Sequence, residues 1–455
     1  MRLPRFIGRP LVRPATALAL TATLLLAACG GGSSDTAAAA TTVTQAEIDK
    51  ALQTPTTLTY WTWLPEVQDE VALFEKKYPA IKVNVVNVGQ GLPQYQKLRT
   101  ALKAGSGAPD LAQIEYQSVS TFSITKDLLD LRPYGAEASK SKFSPGAISQ
   151  VTGSKGEIWA YPQDTGPLVM LYREDIFAKY GIEVPATWDA YATAAKKLHA
   201  ADPKIYLGDL ASGQGVAYMG LLWQAGAKPH TVTGPDSIDI NFTDDKSKKV
   251  ADYWTALNAS GALSTDPDFT DAWYQGLNRG KYATWITGAW GPVFLQGNVK
   301  ESAGKWRVAK VPQWNAGEKA NGAWGGSTMA VMAKSKNAIA AAKLAEFMGT
   351  DPDVTTMYTT KQNLFPAVKQ VLEDPAWANA TPAYLGGQKV NEVGAQASAE
   401  VLTDFSWSPF QDQIYTYWQE TVGKALTDKT DLWPAVQQWE QKTVDYAKGQ
   451  GFKVS

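Results

Sequence analysis

Short β-rich runs alternate with helical runs along nearly the whole chain, and that alternation confines it to an α/β fold with largely parallel sheets. Leu58-Thr-Tyr-Trp-Thr-Trp63 reads as a first strand. After Pro65, Val67, Val71, Phe74 and Tyr78 share one helical face, and Pro79 ends that helix. Ile81, Val83 and Val85 form a second strand, Tyr95, Leu98 and Leu102 stripe a second helix, and Asp110 to Tyr116 reads as a third strand. No GxGxxG joins the first strand to the first helix, so this βαβαβ opening gives no support to a dinucleotide site. Further on, Leu168 to Tyr172 and Met329 to Ala333 are strand-like. Thr187 is placed to cap a helix striped by Trp188, Tyr191, Ala195 and Leu198. Lys336 to Met348 and the region of Trp418, Trp433 and Trp439 are helical.

The amino end has a different character. Arg2, Arg5, Arg9 and Arg13 make a basic start, and Ala15 to Ala28 is apolar and uncharged, too short to span a bilayer comfortably. The run closes on Leu26-Ala27-Ala28-Cys29, with the only cysteine of the chain, so neither an internal disulfide nor a cysteine metal site is open to it. A small-residue pair before a lone cysteine resembles bacterial lipoprotein signals, in which the cysteine receives a diacylglyceryl group. The expected divisions are a signal segment at 1–28, with Cys29 lipidated, and a flexible Gly/Ser/Ala/Thr tether at 29–54. The body beyond it exceeds one typical domain and points to two.

The formal net charge of −1, without a long basic stretch, argues against nucleic acid as a partner. The 17 Trp and 19 Tyr stand against only 2 His, a bias that suits carbohydrate once core packing has taken its share. A pyranose offers an apolar C–H face to a ring and a polar rim to hydrogen-bonding groups.

Four blocks carry a more specific likeness. They are Phe74 to Pro79 with Ile81-Lys-Val83, and Leu98 to Tyr116 around Gly105-Ser-Gly-Ala-Pro-Asp110. Ile158-Trp-Ala-Tyr-Pro-Gln-Asp-Thr165 follows, with Leu171 to Asp175, Phe177 and Thr187-Trp188. The last is Gly280 to Trp290 with Gly325-Gly-Ser327. In order and spacing they resemble extracellular solute-binding protein family 1 of ABC transporters, the sugar-binding family that includes maltose-binding protein. Arg173 departs from the Asn usual in that family before the acidic pair, at a position expected to be structural.

The resemblance implies an α/β, two-lobed, periplasmic-binding-protein-like fold of type II, with a ligand cleft between lobes joined by a hinge. The N-terminal lobe is expected at 55–164 and 328–365, the C-terminal lobe at 165–327 and 366–455. It implies the substrate-binding component of an importer, one that closes on an extracellular sugar or oligosaccharide and delivers it to permease subunits. A monomer, lipid-anchored on the extracytoplasmic face of the cell membrane, is expected, with no cofactor, no metal and no catalytic residue.

Candidate contacts follow from where open α/β sheets place ligands, beyond the carboxyl ends of strands. Trp61 and Trp63 close the first strand, and at least one is expected at the ligand. Glu66 follows, where a helix-start charge accounts for it as well as a sugar contact does. Glu115 and Tyr116 close the third strand, and Asp164 lies in the crossing block, where a carboxylate accepts strong hydrogen bonds from hydroxyls. Trp290 matches the family's Gly-x-Trp aromatic and is the foremost stacking candidate. Trp324 is next, beside Gly325, where glycine lets backbone approach a ligand closely. Trp223 and Trp407 read as core. His199 and His230 read as surface. Asp266, Asp268 and Asp271 lack the Gly and Glu of a calcium loop and read as a helix cap.

The rival from another class is a secreted glycoside hydrolase, which needs two carboxylates flanking the bond; Glu66, Glu115 and Asp164 keep that alternative open. A binding protein for a non-sugar solute is the other. Ferric ion would call for a compact Tyr pair with His or Asp and a free amino acid for a cleft Arg, neither of which stands out, and a polyamine would need several cleft carboxylates; the aromatic bias favours a neutral sugar.

Overall fold

In the computed structural model the described residues are 42–455, apart from Pro65 and Pro235 and the side chain of Leu92. The expected signal segment and Cys29 lie outside them. The expected tether to residue 54 is too long. Gln45–Gln53 is a helix whose first turn is closed by a reciprocal pair, Thr44 accepting from Glu47 N–H while Glu47 accepts from Thr44 N–H. Leu52 is buried against the core. No helix among the described residues is long and apolar enough to cross a membrane.

Strand β1 (Thr56–Trp61) buries Leu58 and Tyr60 on one face. Parallel to it run β2 (Ile81–Val86) and β3 (Leu111–Glu115). The helices between them, Gln68–Lys77 and Leu92–Ala104, supply the crossovers, and the second ends on Gly105 in the left-handed region (φ 68°). Asp110 explains why an acid precedes β3. Its carboxylate accepts from Thr59 N–H (2.9 Å), the Ser335 hydroxyl (2.6 Å) and the Asn337 amide (3.3 Å), pinning the first strand to a segment far away in the chain.

The sheet is completed out of sequence order. β4 (Tyr161–Pro162) lies at its edge, and the returning strand Ser327–Val331 inserts antiparallel between β3 and β4. The second lobe is built on β5 (Leu168–Arg173), flanked by the strands Thr284–Gly288 and Trp306–Lys310, both antiparallel to it. The expectation of largely parallel sheets therefore holds for β1–β3 and fails here. Helices do separate β5 from its partners along the chain, but alternation of helix and strand does not set strand direction, and both partners return antiparallel to β5. Arg173, at the end of β5, is buried and structural. It forms a two-pronged pair with Asp175 (2.8 Å on each prong) and donates to Leu277 O (3.0 Å).

Three chain segments cross between the lobes side by side. Gln163 N–H donates to Ser327 O (2.9 Å), Thr165 N–H to Phe365 O (3.0 Å) and Trp324 N–H to Gly166 O (2.7 Å). Asp164 and Pro366 form an isolated antiparallel bridge, as do Pro167 and Ala323. The carboxyl-terminal segment reaches back to the first lobe. Arg99 of the first lobe pairs with Asp412 (2.7 Å), and the Trp407 indole donates to Gln150 (3.0 Å).

Two smaller expectations are corrected. His230 is 2 % exposed, not a surface residue. It opens the strand His230–Gly234 and packs edge-on against Phe242 and Phe405, and burial depresses its pKa to about 4. His199 is half-buried and stacks on Tyr206 at 5.0 Å. The helix Asp271–Arg279 is capped by Thr270 rather than by the aspartates upstream, because the Thr270 hydroxyl accepts from Trp273 N–H. Asp266 instead pairs with Lys281, and Asp268 accepts from Gln214 (3.0 Å). No cluster of three metal-ligating side chains occurs among the described residues. Trp223 and Trp407 are core residues, Trp223 stacking on Phe405 at 4.3 Å.

Candidate functional site

Where the crossings meet, a cleft of about 730 Å³ opens between the lobes, within the ~300–1,000 Å³ of typical small-ligand sites. Its first-lobe side is polar. Trp63 lies two residues past the end of β1, and its N–H donates to Gln113 Oε1 (3.1 Å), which also accepts from the Thr62 hydroxyl (2.6 Å). Gln113 Nε2 donates to the Ser327 hydroxyl (3.0 Å), so this one buried amide ties the Trp63 loop to the returning strand. The Trp63 ring meets Tyr95 edge-on at 6.3 Å. Tyr95 in turn donates to the Glu115 carboxylate (3.0 Å) and accepts from Glu115 N–H (2.8 Å), and burial raises the Glu115 pKa. Glu66 is exposed on the rim at a φ of 59°, held in a turn that ends at the helix Gln68–Lys77.

Asp164 sits at the floor, 6 % exposed, with Oδ1 accepting from Ser327 N–H (2.8 Å). Loss of hydration pushes its pKa up to about 7, and the neighbouring Glu115 charge adds to the rise. A carboxyl raised in the folded state binds a proton there that the unfolded chain has already released. Stability is therefore lost as pH climbs from 3.8 to about 7 and is flat above. Asp164→Asn keeps the acceptor for Ser327 and removes the buried charge. It is expected to raise the melting temperature at pH 8 by about 2 °C or more, with no gain at pH 4, as measured by thermal melts. A variant no more stable than the native protein at pH 8 would rule this out.

The second-lobe side is aromatic. Trp290, Trp324, Phe269 and Phe294 line it together. The Trp290 indole donates to Trp324 O (2.6 Å), and its ring stands nearly perpendicular to Trp324 (5.2 Å, 85°) and edge-on to Phe294 (5.3 Å). These contacts leave few rotamers to Trp290 before any ligand arrives. Gly325 and Gly326 turn the crossing strand with φ of 72° and 96°. At Gly326 a side chain would meet the Tyr116 ring at 2.8 Å and Thr165 Cα at 2.9 Å, so glycine is required for the approach of these segments.

Of the residues singled out from sequence, Trp63, Glu66, Glu115, Asp164, Trp290, Trp324 and Gly325 line this cleft. Two do not. Trp61 is still within the sheet, paired with Val86 and Ala112, and packs on the core. Tyr116 is fully buried because it begins the helix Tyr116–Ile124 and turns inward, its hydroxyl donating to Asp164 O (3.0 Å). The sequence reading missed Gln90, Gln113, Gln214, Phe269, Phe294 and the segment 361–364, which also line the cleft. Phe294 was within reach, one helical turn beyond Trp290 in the helix Gly291–Asn298.

A profile of the bacterial extracellular solute-binding protein family matches residues 57–355. The arabinooligosaccharide-binding protein of Bacillus subtilis (strain 168) is 25% identical over 295 residues, covering 62% of this chain and 66% of that protein, just under two thirds of its length. Two solved structures align more fully. A binding protein associated with an ABC transporter of B. animalis subsp. lactis Bl-04, in complex with β-1,6-galactobiose, is 37% identical, covering 88% of this chain and 99% of that one with a TM-score of 0.76. The galacto-N-biose-/lacto-N-biose I-binding protein of Bifidobacterium longum, in complex with lacto-N-biose, is 29% identical, covering 88% and 98% with a TM-score of 0.76. With a matching profile over most of the body and a hinged pair of lobes enclosing a cleft, this chain belongs to the bacterial extracellular solute-binding proteins.

Proposed function

We propose that the cleft captures a neutral oligosaccharide containing galactosyl units and that closure of the lobes presents it to the permease of an ABC importer. The observation that carries this reading is the division of the cleft into two unlike walls. Trp290, Trp324, Phe269 and Phe294 supply flat apolar area on one side. Glu66, Gln90, Gln113, Glu115 and Asp164 supply acceptors and amides on the other and at the floor. A sugar ring has the same two aspects, a C–H face and a hydroxyl rim. Galactobiose and lacto-N-biose, named with the two fuller structural matches, make galactosyl disaccharides the first ligands to try. Both walls must touch the sugar for it to favour the closed state over the open one.

Isothermal titration calorimetry against β-1,6-galactobiose, lacto-N-biose, maltose and arabinobiose tests the proposal. A micromolar dissociation constant for one of the galactosyl sugars is expected, about −8 kcal/mol. Chromatography of the sugar after overnight incubation should recover it intact, since the chain acts by binding alone. Heat from none of the four sugars would end the saccharide reading, and cleavage products would turn it toward a hydrolase.

Cys29 is proposed to carry the lipid that keeps the protein at the outer face of the cell membrane, acting from the described body as a monomer. Cys29→Ser is expected to move the protein from the membrane fraction to the medium. Retention of the variant in the membrane fraction would count against the anchor.

A further inference from the structure

A second cavity of about 630 Å³ adjoins the cleft. Val293, Asn363 and Leu364 line both spaces, so the two meet across the start of the helix Gly291–Asn298 and the third crossing segment. Its walls come from both lobes: the helix Pro352–Thr360 on one side, Gln296 and the segment around Trp377 on the other.

The chemistry of this cavity repeats that of the cleft in milder form. The half-buried Trp377 ring stands edge-on to Phe365 at 5.6 Å. Thr359 and Thr360 both donate to Thr356 O, which leaves their hydroxyl oxygens as acceptors toward the cavity. Asn363 holds a φ of 54° at the junction of the two spaces. Among the described residues no Lys, Arg or His lines the cavity, and the one acid that does, Asp374, is engaged in capping the helix Pro375–Ala378. A site with aromatic area, hydroxyls and amides but no free cation suits a neutral polyhydroxylated chain and disfavours a charged solute.

We infer that the second cavity receives the further sugar units of an oligosaccharide whose first two occupy the main cleft, the chain passing between Val293 and Asn363. The inference rests on the saccharide reading of the main cleft and adds to it the length of the ligand. A disaccharide fills one space, and a longer chain uses both. Because the cavity is walled by both lobes, the longer chain also adds contacts that favour closure.

The test compares β-1,6-galactobiose with the β-1,6-linked galactotetraose by calorimetry, on the native protein and on Thr359→Trp and Gln296→Trp. Each indole would fill the second cavity from a different lobe. The tetraose is expected to bind the native protein at least tenfold more tightly than galactobiose. Both variants are expected to abolish that gain while leaving galactobiose affinity unchanged, which also shows them to be folded. Equal affinity of the two sugars for the native protein overturns the inference, as does a tenfold gain that survives both variants. Binding of neither sugar overturns the reading of the main cleft, and this inference with it; binding of galactobiose without a gain overturns this inference alone.

Discussion

Trp290→Ala is expected to lower affinity for the bound galactosyl sugar by about 100-fold or more, roughly 2.7 kcal/mol, as read by calorimetry. Three losses combine. The ring that faces the cleft goes, and with it the apolar surface for a sugar face. The hydrogen bond from its indole to Trp324 O goes too, so a backbone carbonyl of the crossing strand loses its donor. Finally Trp324 and Phe294, which Trp290 meets edge-on, gain room to move, so the remaining wall is no longer preset. Trp290→Phe separates the contributions, because it keeps most of the ring and discards the donor. The native protein, phenylalanine variant and alanine variant should fall in that order. The fold should survive, since Trp290 lines a cavity and is only partly buried, and an unchanged circular dichroism spectrum would show it. An alanine variant with native affinity would remove Trp290 from the binding surface.

Gly166→Ala is expected to destabilise the protein by about 3–5 kcal/mol, the upper range for one substitution, measured by urea unfolding. Gly166 lies in the first crossing, and its carbonyl accepts from Trp324 N–H (2.7 Å). A methyl group there would stand 2.0 Å from Trp324 O and 2.9 Å from the Trp290 indole nitrogen. The first of these is backbone and has no flexible end to swing away, so the two crossing segments must separate. Separation breaks the hydrogen bond that joins them and shifts Trp324 and Trp290 together. Sugar affinity should fall in parallel with stability, unlike Trp290→Ala, which is expected to act mainly on affinity. A midpoint within experimental error of the native one would mean that the crossing segments are not packed as tightly as this geometry requires.

The fold and the site were legible to different depths. The opening βαβαβ segment announced itself through apolar spacing, through Pro79 and through the turn at Gly105, because each is a local consequence of sequence. The direction of the second sheet was not local. It is set by the direction in which the distant strands Thr284–Gly288 and Trp306–Lys310 return beside β5, and no periodicity along β5 records that. Among cleft residues, Trp290 was found through the family's Gly-x-Trp pattern, and Trp324 and Gly325 through the way glycine lets backbone approach a ligand. Trp61 and Tyr116 failed for want of one or two residues of precision. A tryptophan still paired in a sheet and one two positions beyond it face different surroundings, and a tyrosine that starts a helix turns inward. Gln113 carried no signal at all, since a glutamine inside an apolar strand looks like a flaw until its partners, Trp63 N–H and the Ser327 hydroxyl, are seen around it. Phe269 was hidden beside three aspartates that drew attention as a group.

The insertion of Ser327–Val331 between β3 and β4 has a consequence for how the chain is made. The first sheet has an open seam until translation has passed residue 331, although its other strands emerge by residue 162. Until then the partial sheet exposes two unpaired strand edges, and pairing them requires closing a loop that contains most of the second lobe. Such high contact order slows folding. The same interleaving that lets two lobes share a hinge therefore makes completion of the first sheet wait on a strand made long after its neighbours.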